Sequence, residues 1–374
     1  MWFAIRHLRH GQVRTGLFIG IVALVGALVL ILTGLGLGLG TAGVSGIKRI
    51  PADAYVYQSD VRLFLSRSSV PVQTAEQVQE TQAATSAEPF GAFTVSLRTD
   101  PGEPANDAAL FGVQPGSFLL PDGATVAQSG DEAYADFTLA DQGVAVGDTV
   151  TVEPSQQSLR IAGFVDAGTY SHLPVVFVPL TTWQEVKYGP ATGDGDIPAS
   201  AYESVSAVAV TLADGATTED LAQQTAGIDG VVAVSPTEAV AATPGYKEET
   251  GTVGLMVFFL YLIGALIVGT FFWNSTITRT GELAVLRAIG ATPARLAREH
   301  LGEVAVVSIL GLFIAALLSI ALAAMLPAGV PFLLPTETVL STSVLLLVVA
   351  LAAGAVSLRR TTRVDPLLAL GRTA

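Results

Sequence analysis

Four long apolar runs constrain this 374-residue chain more than any other feature. The first covers residues 17–39 and is broken only by Thr33 and a few glycines. The others lie at about 253–276, 304–326 and 339–358. At about 1.5 Å per residue, each is long enough to cross a hydrocarbon core roughly 30 Å thick. A single segment can satisfy its backbone in lipid only as a helix. The first run exceeds the ~7–15 apolar residues of a signal peptide, so it reads as a retained span. Composition agrees: 51% of residues are hydrophobic and 14% charged, against about 25% charged in a soluble domain.

Charge then orients the spans. Residues 1–15, 276–301 and 359–374 hold 11 of the 19 Lys+Arg and only Glu282, Glu299 and Asp365 as acids. The stretch 41–251 holds 8 basic and 27 acidic residues. The positive-inside rule puts both termini and the 276–301 loop in the cytoplasm and 41–251 outside. The expected order is a cytoplasmic segment 1–15, a span 16–40, an extracytoplasmic domain 41–251 and a span 252–276. A cytoplasmic loop 277–301, a span 302–327, an outer loop 328–337, a span 338–358 and a cytoplasmic tail 359–374 follow.

Several function classes fall away. With no cysteine there are no disulfides and no thiolate sites. His7, His10, His172 and His300 are too scattered for a zinc site. The acidic balance disfavours nucleic acid as a partner. A Ser-His-Asp triad cannot be argued from His172 alone, in the loop-like YSHLP, where it reads as a solvated residue. The lysines Lys48, Lys187 and Lys247 follow Ile, Val and Tyr, so there is no Gly-Lys-[Ser/Thr] phosphate loop.

The outer segment reads as mixed α+β. Tyr55 and Tyr57, then Val61, Leu63 and Leu65, then Phe93, Val95 and Leu97 alternate as strands do. Thr74-x-x-Gln77 has the form of a capping box opening a solvated helix to about residue 84. The stretches 144–152, 159–165 and 175–178 suggest a small barrel or sandwich. Residues 205–212, 218–226 and 231–234 suggest a β-α-β return. Stretches 187–201 and 243–251 read as loop and linker. The fold class is an α-helical membrane protein with four transmembrane helices and a mixed α+β extracytoplasmic domain between helices 1 and 2.

Glycines mark close packing. Gly34, Gly36, Gly38 and Gly40 lie in lipid with no preceding strand, so they read as a close-packing or flexible exit, not a dinucleotide fingerprint. Gly311, Ala315, Ser319 and Ala323 recur every four residues in the third span. This small-residue stripe suits packing within a protomer or in a homodimer, and Gly16 and Gly20 offer a similar one.

The loop 276–301 carries Leu283, Leu286, Ile289 and Leu296 at helical spacing, broken after Gly290 by Ala-Thr-Pro. Such an amphipathic element lies on lipid or docks on a cytoplasmic partner. Its sequence from Arg279 through Glu282, Leu286 and Arg287 to Gly290 and Ala291 resembles the Glu-x-x-x-x-Arg-Ala-x-Gly-Ala signature of FtsX/MacB-type ABC transporter permeases. Glu303, Val364-Asp365-Pro366-Leu367 and Leu370 also fit, as does the outer GDTVTV…LRIAGFVD…PVVFVPLTTW stretch. The opening FAIRHLRHGQVR and the LTGLGLGLG exit are similar to the DevC/HrtB branch, whose HrtB members export haem.

The resemblance implies a coupling element at Arg279, Glu282, Leu286, Arg287, Gly290 and Ala291. It also implies a cytoplasmic ABC ATPase subunit that binds ATP-Mg, a permease homodimer and export by mechanotransmission. The permease itself would be a non-catalytic subunit with no intrinsic cofactor. Haem, or another hydrophobic toxic compound, would be the cargo; the spans hold almost no ionisable residues, which disfavours a wide aqueous tunnel and favours sideways entry from the outer leaflet or the outer domain. Candidate haem or substrate residues near the outer face are Tyr246, Glu248, Glu249, Met256 and Tyr261. An FtsX-like signalling subunit that regulates a cell-wall hydrolase, or a permease handling lipoproteins or antimicrobial peptides, would look alike at this level.

Overall fold

The computed structural model describes residues 12–100, 104–127, 130–190, 196–278, 292–327 and 330–361. It divides into two units: residues 1–38 with 251–374, and residues 39–250. The elements that cross between them are two helices, α1 (Gln12–Arg49) and the long helix beginning at Tyr246.

The outer unit contains the strands β1 (Ala54–Gln58), β2 (Val70–Pro71), β3 (Ala84–Arg98), β4 (Asn106–Val113), β5 (Glu132–Asp136) and β6 (Thr149–Glu153). Then come β7 (Gln157–Val165), β8 (Thr169–Tyr170), β9 (Leu173–Pro179), β10 (Ser204–Val205), β11 (Ala207–Leu212) and β12 (Val231–Val234). Short helices join them: α2 (Thr74–Gln79), α3 (Phe137–Ala140), α4 (Leu180–Tyr188), α5 (Thr218–Thr225) and α6 (Pro236–Ala241).

β3 belongs to two lobes. Its first half pairs with β11, and β1 lies between β11 and β12. Both flanking strands run antiparallel to β1, so β11–α5–β12 is the β-α-β return. The second half of β3 pairs with β4, and the order continues through β9, β5 and β7 to β6. β6 then returns to β3 at Ser96–Glu153, Leu97–Val152 and Arg98–Thr151, closing a six-stranded barrel. Arg98 Nε and Glu153 Oε1 lie 2.7 Å apart on that seam. The guanidinium holds the Glu153 carboxyl below its ordinary pKa.

Strand alternation sorts the side chains among three cores. On β1, Ala54 and Val56 pack under α2 and α5, while Tyr55 and Tyr57 face the opposite way. On β4, Leu110 enters the barrel, whereas Phe111 joins Tyr55, Phe90, Phe177 and Val44 and Ile47 of α1. The outer end of α1 is therefore part of the outer hydrophobic core.

The remaining helices are α7 (Tyr246–Thr278), α8 (Pro293–Ala323) and α9 (Thr336–Thr361). With α1, they supply four helices long and apolar enough to cross a membrane. α1 runs on to Arg49, and α7 starts at Tyr246, inside the stretch that the sequence presents as a linker. Pro and Gly at 244–245 end the preceding turn, and Glu248 and Glu249 in the first turn suit the dipole of the helix that follows, which runs on through Gly251 and Gly254. The expected capping box at Thr74 is absent. Gln73 occupies the N-cap without a side-chain bond, Thr74 is buried, and the helix ends at Gln79 because β3 begins at Ala84. Reciprocal boxes occur at Thr217/Asp220 and Ser235/Glu238.

Candidate functional site

The outer ends of α1 and α7 meet around one hairpin. β8 and β9 are joined by Ser171 and His172, with φ of 51° and 65°. A two-residue tip of this kind needs positive φ at both positions, which is why Asn-Gly is usual there. Two L-residues with side chains are held in that conformation at a local cost.

What holds them is α1. The Ser171 amide donates to the Gly43 carbonyl at 2.8 Å and the His172 amide to the Ala42 carbonyl at 3.2 Å. The Thr169 hydroxyl donates to the same Ala42 carbonyl at 2.7 Å, and the Thr169 amide to Ser45 Oγ at 2.8 Å. Gly46 lets Val175 approach so closely that a Cβ there would lie 2.7 Å from its Cγ2. Nearby, Arg49 pairs with Asp166 at 2.9 Å and lies 3.9 Å from the buried Asp136, which also accepts from the Gly168 amide.

His172 then reaches α7. Its Nε2 lies 3.1 Å from Glu249 Oε1, and both side chains are 39% exposed. Glu249 sits in the first turn of α7, where a carboxylate suits the helix dipole. One turn earlier, Tyr246 packs against the outer core, and Lys48 Nζ stands 5.9 Å from the centre of its ring. Gly40 and Gly43, a turn apart on α1, face these groups: a Cβ at the first would lie 3.3 Å from Thr250 and 3.9 Å from Tyr246, and at the second 3.7 Å from His172, an ordinary contact.

Imidazole, carboxylate, phenol and ammonium are thus gathered at one place. The first three can ligate ferric iron, and the ammonium suits an anionic group. Of the residues expected from sequence, Tyr246 and Glu249 belong to this cluster. Glu248 is exposed. Met256 and Tyr261 lie further along α7 in the membrane unit, where Met256 is exposed and Tyr261 packs with the bundle core. His172 and Lys48 are the members that sequence reading missed. His172 is exposed, as its loop-like sequence context suggests, and is also paired with Glu249; the available signal was a lone histidine beside two short alternating strands.

Within the membrane unit, the small-residue stripe of α8 faces α1. A Cβ at Gly311 would overlap Val22, Ala315 is fully buried against Gly26, and Ser319 Oγ lies 3.5 Å from the Ala27 carbonyl. Ala323 is half-buried. A narrow cleft of about 20 Å³ among the four helices is lined by Val22, Gly26, Gly264, Leu312, Ala350 and the buried, unpartnered hydroxyl of Ser308. The residues expected to couple to an ATPase, Arg279, Glu282, Leu286, Arg287, Gly290 and Ala291, lie outside the described residues.

Family models decide what this architecture belongs to. The MacB-like periplasmic core domain matches residues 15–228, more than half of the chain, and the FtsX-like permease C-terminal matches residues 254–366. The chain is an ABC transporter permease of the MacB/FtsX type. A Staphylococcus haemolyticus permease protein named for hemin transport, HrtB, is 23% identical over 99% of both chains. Its Staphylococcus epidermidis namesake is 22% identical over the same shares. An uncharacterized ABC transporter permease of Mycobacterium tuberculosis is 24% identical, again over 99% of both. The permease is accordingly a multi-pass membrane protein with an extracytoplasmic α+β domain, and its class implies an ABC ATPase partner.

Proposed function

We propose that this permease is the non-catalytic half of an exporter that moves haem, or another hydrophobic toxic compound, by mechanotransmission. Two permeases would work with two ATPases, which bind and hydrolyse the ATP-Mg. The cargo reading is carried by the end-to-end similarity to permeases named for hemin transport. The gathering of His172, Tyr246, Glu249 and Lys48 adds a chemical reason, since ferric haem needs an oxygen or nitrogen ligand and carries carboxylates. Ligation through either of the two facing atoms, His172 Nε2 or Glu249 Oε1, requires that contact to part.

Helix length supports the mechanical part. At about 1.5 Å per residue, the 38 residues of α1 and the 33 of α7 extend roughly 57 and 50 Å, beyond the ~30 Å hydrocarbon core. Stiff helices of that length can carry a displacement made at the cytoplasmic loop.

The test is a haemin titration of the purified permease, with and without its ATPase, following the Soret band. A saturable shift near one haem per permease dimer, lost in Tyr246→Phe, Glu249→Gln or His172→Ala, is the expected result. No shift with ATPase activity intact would remove haem as cargo and leave the permease class untouched. Arg287→Glu should uncouple ATP hydrolysis from transport while membrane insertion persists; normal coupling in that variant would remove the coupling assignment.

A further inference from the structure

We propose that the β8–β9 hairpin is a latch between the two long helices, fixed on α1 and releasable from α7. His172 is the positioning residue, and its contact with Glu249 is the one that opens during the ATPase cycle. The proposal deepens the mechanotransmission reading and rests on it.

The asymmetry of the hairpin's attachments carries the inference. Towards α1 it makes backbone and hydroxyl hydrogen bonds from Thr169, Ser171 and His172 to Ala42, Gly43 and Ser45. Val175 seats on Gly46 beside them, and Val44, Ile47, Tyr170 and Val175 share one buried core. Separating hairpin and α1 would break all of this together. Towards α7, the described residues show one polar contact, His172 Nε2 to Glu249 Oε1, and Tyr246 packs only at the partly buried edge of that core. A half-exposed pair of this kind is among the weakest attachments a protein makes.

If α7 shifts against α1, the grip on α1 survives and the contact to Glu249 gives way. The tip geometry fits that role. Ser171 and His172 are held in left-handed conformations by the α1 carbonyls. The imidazole is therefore presented to α7 from a fixed mount and does not follow Glu249 when it moves. Opening the latch would also part the carboxylate from the imidazole and leave their facing atoms for an incoming ligand.

The chain has no cysteine, so His172→Cys with Glu249→Cys introduces the only two thiols. The double variant, assembled with its ATPase, is treated with a short, reducible, thiol-specific cross-linker, first nucleotide-free and then trapped with ATP-Mg and vanadate. The expected result is a several-fold lower cross-linking yield in the trapped state. Cross-linking before ATP is added should hold hydrolysis below that of the same sample after reduction. Equal yields in both states, with vanadate trapping verified by loss of hydrolysis, would overturn the latch while leaving the permease and its ATPase standing. Adding Arg287→Glu separates the two readings. If the yield still changes with nucleotide in that background, the latch stands and the coupling assignment falls. Glu249→Gln with His172 retained keeps an acceptor oxygen; it should couple better than Glu249→Ala, and equal defects would make the contact a merely structural one.

Discussion

Replacing Gly38 with alanine should destabilise the membrane unit, and the cost can be worked from its surroundings. A Cβ at Gly38 would fall on the carbonyl carbon and oxygen of Pro331 and on the amide nitrogen of Phe332. These are backbone atoms and cannot swing aside as a side chain would. One turn earlier, Gly34 faces the Phe332 ring, and its carbonyl accepts the Leu333 amide at 3.0 Å, so the outer loop is pinned to α1 on both sides of the clash.

Overpacking of this kind costs about 1–3 kcal/mol, offset by the ~0.8–1 kcal/mol that alanine gains over glycine in a helix. Gly16 and Gly20 provide the control. They lie on the same helix, are exposed, and meet nothing within 4 Å. Alanine there collects only the propensity gain. That gain cancels in the comparison, leaving Gly38→Ala roughly 1–3 kcal/mol less stable than Gly20→Ala. The assay is apparent melting temperature in one detergent at one scan rate, because membrane proteins of this size rarely unfold reversibly. Equal melting temperatures for the two variants would refute the reasoning. A Gly20→Ala variant that is destabilised instead would show that another chain covers that face.

Three further outcomes can be checked. Trp183 is fully buried on Gly91 and Gly112 with Phe93 edge-on at 5.8 Å, so Trp183→Ala should cost about 3–5 kcal/mol and melt the barrel first; hydrogen exchange localised elsewhere would contradict this. Burial pushes the Lys187 amine down to about 8, with Nζ 4.7 Å over the Trp183 ring. In acetylation followed across pH, its labelling midpoint should therefore fall near pH 8 and not above 10; a midpoint above 10 would show that burial does not depress this amine. Ser308 is buried with its hydroxyl unpartnered, so Ser308→Ala should be neutral or stabilising by up to about 1 kcal/mol; a clear loss of stability would reveal a partner in the cleft.

The sequence by itself determined the four spans, the sidedness of the chain and the mixed character of the outer domain. Those properties are local sums: an apolar run must be helical in lipid, and Arg-rich flanks stay with the cytoplasm. Alternation at Tyr55 and Tyr57 announced a strand, and the residues between 205 and 234 announced a β-α-β return, because side-chain period depends only on neighbours along the chain.

Tertiary structure alone decided the rest. Nothing in the alternation of β3 says that its two halves serve different lobes, or that β6 comes back to it to close a barrel. Glycines at 34, 36, 38 and 40 signalled close approach, yet their partners, Phe332, Val253, Pro331 and Thr250, come from distant segments. His172 and Glu249 are 77 positions apart. A periodic pattern reports which face of an element is buried, but not which other face it meets. That choice is made by the simultaneous packing of the whole chain, and here it turns a lone histidine in a short hairpin into the link between two helices.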